Sequence, residues 1–333
     1  MRGSGAATCP NCDAPRVTGP ECPRCGVIYA KARRRVAAAG PDAAAALEPA
    51  APAAAFEMLA PDVETRWEGD LEDVRREWLI RAVAPPAALA LAWLLISSPM
   101  GHMLSRVFLS MWVHELGHAV TAWLSGFAAF PGPWRTPVSA ARQPAVFLLL
   151  AAALAALAWH GWRTRRMAFM GAAAGLFVVQ VVCTLLPVNA ARALFTFGGD
   201  AGCMVIGAAL VATIWTDPEG ALGRGMLRWG FLVIGAFALV DALDTWIGAW
   251  RDPGEIPFGE IEGVGLSDAS KLVEVHRWTP AALSERYVGL GLACLALLAA
   301  GWTVAFVRGR ARVAAATSAQ PLPRRWQPPH HAA

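Results

Sequence analysis

The sequence predicts an all-α polytopic membrane bundle of six or seven spans, preceded by a small N-terminal zinc-ribbon module. Of the 333 residues, 56% are hydrophobic and only 16% are charged. The apolar residues are gathered into long runs, which is typical of helices embedded in lipid. Four closely spaced cysteines stand apart from these runs, near the N-terminus. Together these observations predict two modules in different environments.

The N-terminal module is predicted over residues 1–30. Its cysteines are Cys9 and Cys12 in CPNC, then Cys22 and Cys25 in CPRCG. Two such thiolate pairs are typical of a structural tetrahedral zinc site, and the metal would supply folding energy to a segment with almost no apolar core. Two disulfides are the alternative, but the polar first residues lack the apolar core of a signal peptide, so we expect a reducing cytoplasm. Four sulfur ligands leave no open position for water, so we expect this zinc ribbon not to be catalytic. A protein partner for the ribbon is a hypothesis.

Two segments are predicted between the ribbon and the membrane domain, and a third follows the membrane domain. Residues 31–61 are rich in alanine and proline, which indicates a flexible linker. Residues 62–82 space apolar side chains three or four apart among charges, which favours an amphipathic juxtamembrane helix with Trp78 as an interfacial anchor. Residues 309–333 combine arginines with proline-rich sequence, and we expect a disordered tail.

The membrane domain is predicted over residues 83–308. Its apolar runs are candidates for spans, although some are short for a hydrocarbon core of about 30 Å. The runs are Val83–Ile96, Val107–Leu124, Pro144–Trp159, Ala168–Leu186, Ala201–Trp215, Trp229–Trp250 and Val288–Val307. We therefore expect an integral membrane protein of a bacterial-type inner membrane, in contact with the lipid bilayer.

The basic residues indicate how the protein is oriented in the membrane. The net charge of +4 comes from arginines spread over loops and tails, where they set topology, so no nucleic-acid partner is expected. We expect the ribbon to face the cytoplasm. The arginines at 163–166 and after Arg308 also favour the cytoplasm, yet seven spans from an inside N-terminus would place both outside. One candidate span is therefore expected to be re-entrant.

The candidate catalytic motif is HELGH, formed by His114, Glu115 and His118 within the run Val107–Leu124. Positions four apart lie on one face of a helix, so the two imidazoles can bind one zinc ion while Glu115 beside them handles a proton. Such polar residues are costly in hydrocarbon and usually bind an ion, pair or face a cavity. The alternative is two hydrogen-bonded histidines in a packed helix.

A catalytic zinc needs a third protein ligand, since such sites use three ligands and a water. Asp200 is the predicted ligand, because the glycines of FGGDAG permit close backbone approach at the start of an apolar run. An N-cap role for Asp200 is the alternative. Asp241 and Asp244, inside a later run, are rival ligands and could instead form a polar relay or line a substrate path.

The segment HELGHAVTAWLSG, from His114 to Gly126, resembles the first motif of the site-2 protease family of intramembrane zinc metalloproteases. The resemblance implies a later helix with an Asn-x-x-Pro segment and an Asp-Gly pair that supplies the remaining zinc ligand. Here the first of these reads TLLP at Thr184–Pro187, with Asn189 as a substitute for the missing asparagine. Alanine follows Asp200 where the family has glycine. The resemblance covers the region from Val107 to Val205.

The resemblance and the motif together predict an intramembrane zinc metalloprotease that hydrolyses peptide bonds of membrane-embedded or membrane-adjacent protein substrates. Two zinc ions are expected, one structural in the ribbon and one catalytic, bound by His114, His118 and Asp200. Glu115 would take a proton from the zinc-activated water and return it to the leaving amine. The proline-rich segment Phe127–Gln143 cannot be a regular helix, so it is either an edge that receives an extended substrate or a connecting loop.

Two other classes remain open. A proteolytically silent zinc-binding scaffold or sensor would keep the metal for structure and use the ribbon to bind a partner. A transporter would use Asp241, Asp244 and the histidines as an ion path, but this does not explain a glutamate directly after the first histidine.

Overall fold

The computed structural model describes Cys9, residues 22–25 and residues 68–318 without positions 219, 221, 224 and 262–264; of residues 68–70 and 261 it describes the backbone alone. The chain divides into two compact units, Met1–Glu64 and Thr65–Ala333. The predicted linker, Cys12 and the end of the predicted tail lie outside the described residues.

The second unit is almost entirely helical. Its α-helical segments are α1 (Glu68–Ile96), α2 (Pro99–Ser105), α3 (Met111–Leu124), α4 (Pro144–Arg163), α5 (Met167–Leu185), α6 (Val188–Ala212), α7 (Leu227–Arg251), the short α8 (Asp268–Ser270) and α9 (Pro280–Ser318). Wider π-helical turns at Arg106–Ser110 and Lys271–Val275 join α2 to α3 and follow α8. The strands are β1 (Phe127–Ala129), β2 (Val138–Arg142), β3 (Glu260–Ile261) and β4 (Gly265–Leu266).

Six helical stretches in the described part of the chain are long and apolar enough to cross a membrane. They are Leu71–Ile96, Pro144–Arg163, Met167–Leu185, Val188–Trp215, Leu227–Arg251 and Pro280–Ser318. The predicted membrane bundle is confirmed at this level, and the helices indicate an integral membrane protein. The seventh predicted run, Val107–Leu124, is not among them. Its α3 has 14 residues and continues the helix from α2 through the π-helical turn at Arg106–Ser110.

Two predicted boundaries differ from the observed ones. Helix α1 runs without a break from Glu68 through Pro85 and Pro86 to Ile96, so the described part of the juxtamembrane segment and the first span form one helix. Helix α9 continues to Ser318, so residues 309–318 of the predicted disordered tail are helical. The apolar runs end earlier than these helices because hydropathy reports lipid burial, whereas a helix continues into water where its propensity allows.

The core lies around α6 and α7. Of the most apolar window of each of these helices, 56% is buried, against 11% in α4 and 17% in α5. Three aromatic rings stack beside this core: Tyr287 lies between Phe197 and Trp246, with ring centroids 4.2 Å and 4.1 Å away. Tyr287 also donates a hydrogen bond to the backbone oxygen of Phe197 at 3.1 Å, which ties α9 to α6.

Helix α3 packs on α6 through glycines that we call the glycine seam: Gly117 on α3 with Gly198, Gly199 and Gly202 on α6. A Cβ atom on Gly117 would overlap the backbone oxygen of Gly198, and one on Gly202 would overlap Gly117 itself. A Cβ on Gly199 would lie 2.5 Å from His114 Cε1. The absence of side chains therefore lets the backbone of α6 approach the HELGH helix closely.

A β-hairpin connects α3 to α4. Strands β1 and β2 pair antiparallel, with Phe127 opposite Arg142 and Ala129 opposite Val138. Gly126, at φ +81, makes the turn out of α3, and its carbonyl accepts the Gln143 N–H at 2.7 Å. The prediction that this segment is not a regular helix is confirmed.

Candidate active site

His114 and His118 lie one turn apart on α3, and their rings converge. The two Nε2 atoms are 3.1 Å apart. Both side chains are largely buried, with 10% and 12% of their surface exposed. The predicted pairing of these histidines on one helix face is therefore present in the structure.

Asp268 is the carboxylate that meets both rings. Its Oδ2 lies 3.2 Å from His114 Nε2 and 3.0 Å from His118 Nε2. Asp268 begins the short helix α8, and the Ser267 hydroxyl caps that helix by accepting the Ser270 N–H at 3.2 Å. Burial raises the pKa of Asp268, but the hydrogen bonds with the two imidazoles outweigh it and hold the pKa well below its ordinary value.

These three groups fit a tetrahedral metal. Their donor atoms lie 3.0–3.2 Å from one another, and bonds of roughly 2.0–2.1 Å to zinc would set tetrahedral edges of about 3.3–3.4 Å. Two imidazoles and one carboxylate also form a ligand set found in catalytic zinc sites, which keep a fourth position open. The residues present could hold a metal ion.

Each histidine is oriented by a hydrogen bond on its other ring nitrogen. His118 Nδ1 lies 2.6 Å from the backbone oxygen of Phe195, an acceptor, so this nitrogen carries the proton. His114 Nδ1 lies 2.9 Å from Asp200 Oδ1. With Nδ1 engaged in this way, a neutral ring can present the lone pair of Nε2, the nitrogen that faces Asp268, to a metal ion.

Asp200 is part of α6, the helix that packs on α3. It lies inside α6 and not at its start, so the alternative N-cap role is wrong. Its carboxylate contacts the Nδ1 side of His114, and its Oδ2 accepts the indole N–H of Trp246 at 2.8 Å. Asp200, His114 and Cys203 also form a group that could hold a metal, so direct ligation by Asp200 stays a prediction, one that the geometry supports less well than ligation by Asp268.

A chain of charged groups continues from Asp200 toward the surface. Arg106 donates to Asp200 Oδ1 and to Asp241 Oδ2, each at 3.1 Å. His102, with 46% of its side chain exposed, lies 3.1 Å from the other oxygen of Asp241. Asp241 is thus buried and paired, whereas Asp244 is exposed. Neither aspartate reaches the Nε2 atoms of the histidine pair.

Glu115 lies beside the histidines and is 5% exposed. The hydroxyl of Thr136, from the loop of the β-hairpin, lies 2.7 Å from Glu115 Oε2. A cavity of about 600 Å³ opens here. Its walls include the histidine pair, Glu115, Asp268, Trp134, Thr136, Val138, Phe258 and Lys271.

Four residues at this site escaped sequence reasoning: Arg106, Thr136, Asp268 and Trp246. Asp268 lies in the polar segment between α7 and α9, 154 positions from His114. The signal that could have located it is the pair Ser267-Asp268 after glycine and leucine, which predicts a helix start but not its partners.

The two segments singled out for the missing asparagine motif lie away from the candidate metal ligands. Thr184 donates its hydroxyl to the backbone oxygen of Leu124 at 3.1 Å, which satisfies a carbonyl at the end of α3. Asn189 is exposed in the first turn of α6.

In the first unit, Cys9, Cys22 and Cys25 form a group that could hold a metal, with ligand atoms within 4.8 Å of one another. The backbone hydrogen bond from Arg24 is the main cause that lowers the pKa of the Cys22 thiol to about 6. A thiolate is the form that binds metal. Because Cys12 lies outside the described residues, the four-cysteine site stays a prediction.

Comparisons with protein-family models, with curated proteins and with solved structures found no match for this chain. The function is therefore inferred from the geometry of the site and from the HELGH motif.

Proposed function

We propose that the protein is a membrane-embedded zinc metallopeptidase of the site-2 protease type. The observation that carries this proposal is the convergence of His114 Nε2, His118 Nε2 and Asp268 Oδ2 next to a buried glutamate in one cavity. When bound there, a zinc ion supplies Lewis-acid chemistry and lowers the pKa of a water in its open position.

Glu115 performs the proton transfers in this proposal. It accepts a proton from the attacking water and passes it to the amine nitrogen as the peptide C–N bond breaks. The Thr136 hydroxyl, 2.7 Å from Oε2, orients the carboxylate. A structural metal site or an ion path does not need a buried glutamate at this place, and this residue therefore favours hydrolysis.

The β-hairpin offers a place for an extended substrate. In the described residues β2 pairs only with β1, which leaves one edge of β2 for another strand. Val138, the first residue of β2, lines the cavity. A substrate helix has its backbone groups bonded internally, so it must unwind before its carbonyl reaches the site. Pairing with β2 would satisfy the backbone groups released by unwinding.

The six candidate spans also suggest an orientation. If α3 does not cross, alternation places the N-terminus of α1, the α4–α5 turn and the end of α9 on one side. That side carries Arg163, Arg165, Arg166, Arg308, Arg310 and Arg312, so we assign it to the cytoplasm. The hairpin and the segment with Asp268 then belong to the opposite side, from which substrate enters. The helical stretch from α2 to α3 is the re-entrant element in this arrangement.

Substitution of Glu115 by glutamine tests the proposal. The full chain in detergent, incubated with fluorescently labelled casein, is compared with E115Q and with E285Q, a control at an exposed site on α9. We expect E115Q to keep its zinc and its Tm but to lose about 10²–10⁴-fold in kcat, the range for removal of a general base. E285Q should match the original protein.

Cleavage by E115Q at the original rate would contradict the peptidase mechanism. If the unsubstituted protein binds zinc but cleaves neither casein nor a co-expressed single-span reporter, the silent zinc-binding scaffold is the better assignment.

A further inference from the structure

A second cavity, of about 510 Å³, lies at the arginine-rich end of the bundle. It is formed by the N-terminal part of α1, the end of α9 and the turn after α6. Its lining includes Asp73, Glu77, Trp78, Arg81, Trp215, Val304, Arg308 and Arg312, none of which lines the active site.

The charges around this cavity leave an excess of arginine. Glu77 is held by Arg81, with Nε 2.8 Å from Oε1, and by Arg228 at 3.0 Å. Arg308 and Arg312, one turn apart on α9, have neither an ion pair nor a hydrogen bond within the described part of the chain. Asp73, which is exposed, is the remaining carboxylate at the rim. An anion would therefore meet two uncompensated guanidinium groups.

Arg81 adds a fixed donor to this pair. Its side chain is only 18% exposed and is held by Glu77 and by the backbone oxygen of Thr216, which accepts from Nη2 at 2.9 Å. These contacts engage Nε and Nη2. The third nitrogen, Nη1, has no acceptor among the described residues, so an oriented donor remains for a ligand.

The tryptophans at this end of the bundle are typical of a membrane interface. Trp78 donates to the backbone oxygen of Phe306 at 3.2 Å, Trp215 to that of Arg81 at 3.2 Å, and Trp302 to that of Ala82 at 2.7 Å. Tryptophans in such a belt lie at the level of lipid headgroups. Val304, which lines the cavity, has 48% of its surface exposed on the outer face of α9.

We propose that this cavity binds the phosphate of an anionic phospholipid. Arg81, Arg308 and Arg312 contact the headgroup, and one acyl chain lies against Val304 on the outside of α9. A free phosphate has the same chemistry as the headgroup but no apolar part that could contact the wall beside the arginines. The tryptophans at this level also favour the lipid.

Native mass spectrometry of the full chain in detergent, titrated with phosphatidylglycerol, tests this proposal. We expect one phosphatidylglycerol per chain to bind more tightly than phosphatidylcholine. R308Q/R312Q should weaken it about 30-fold, because each arginine contributes about 1 kcal/mol near an anionic headgroup and 1.4 kcal/mol is tenfold in affinity. R163Q/R310Q is the control, since it removes the same charge from the same end but from outside the cavity.

V304W provides a second test that leaves the charge unchanged. Filling the cavity should displace the lipid, so loss of phosphatidylglycerol binding in V304W supports the site even if R308Q/R312Q does not fold. Equal weakening by the two arginine double variants, or equal binding of phosphatidylcholine, would overturn it. Retention of inorganic phosphate alone, with no preference for the lipid, would assign the cavity to a free anion and also refute the proposal.

Discussion

Helices α6 and α7 have nearly the same hydropathy as α4 and α5 but a different environment. The most apolar windows have mean hydropathies of 1.7 in α6 and α7, 1.8 in α4 and 2.0 in α5. Nevertheless 56% of the window is buried in the first pair, against 11% and 17% in the second. Hydropathy thus identifies a span, but it does not show whether the span contacts lipid or protein.

The difference lies in small and polar residues. Lipid is as apolar as leucine, so helices in a membrane associate through close packing and hydrogen bonds. Helix α6 carries both: three glycines of the seam, and Asp200, which binds Trp246 and His114. In α4 and α5 the one buried polar side chain that makes an interhelical bond in the described structure is Gln180, which donates to the Phe147 backbone oxygen at 2.8 Å.

The largest effect should come from Asp268, the carboxylate of the proposed metal site. Asp268→Ala removes one of the three groups whose donor atoms meet, so we expect zinc to fall from two ions per chain to one, the ribbon ion remaining. Elemental analysis of the full chain measures this. The loss of affinity should exceed the roughly 10–100-fold that removal of an outer-shell partner costs.

Asp200→Asn and Asp244→Ala are the comparisons for that experiment. Asp200→Asn should retain the ion with an affinity about 10–100-fold lower, since Asp200 orients His114. Asp244→Ala, at an exposed position, should change nothing. If Asp200→Asn releases the zinc while Asp268→Ala keeps it, Asp200 is the ligand, as the sequence predicts.

The site could be predicted in part, and the reason is the range of the signals. His114, Glu115 and His118 follow from one helical turn, which is local in sequence. Asp268 comes from a polar segment far along the chain, and no local periodicity relates it to α3. Asp200 was predicted as a ligand. Which nitrogen of His114 it contacts depends on α6 beginning at Val188, and the glycines of FGGDAG do not predict a helix there.

The fold, like the site, could be predicted only in part. Apolar runs identified the six spans, because every lipid-facing helix must be apolar along its length. They also suggested Val107–Leu124 as a seventh span. Helix α3 is apolar for a different reason, since it is packed inside the bundle and shielded by α6. Hydropathy alone does not separate these two causes.

The next largest effect should come from alanine substitutions at glycines. These substitutions compare the packing around the buried helix α6 with that around the exposed helix α5. Gly117→Ala places a Cβ against the backbone of α6, and overpacking of this kind costs about 1–3 kcal/mol. Gly171→Ala, in α5, meets nothing within 4 Å, and alanine favours a helix over glycine by about 0.5–1 kcal/mol. Thermal unfolding in detergent should show a lower Tm for the first variant and an unchanged or higher Tm for the second. A fall of equal size in both would mean that α5 has a protein contact at Gly171.

The smallest effect is expected at Gln180, where the α4–α5 pair has its buried hydrogen bond. Gln180→Leu removes the bond to the Phe147 carbonyl, and interhelical hydrogen bonds in membranes average about 0.6 kcal/mol. The same change removes Oε1, a buried oxygen that has no donor among the described residues. The two terms oppose each other, so the free energy of unfolding should change by less than about 1 kcal/mol, and peptide hydrolysis should be unchanged. Gln180→Ala, which leaves a void, should be the less stable of the two variants. If Gln180→Leu lowers the free energy of unfolding as much as Gly117→Ala does, a single polar contact holds α4 and α5 together. The difference between this pair and the pair of α6 and α7 would then be one of degree and not of kind.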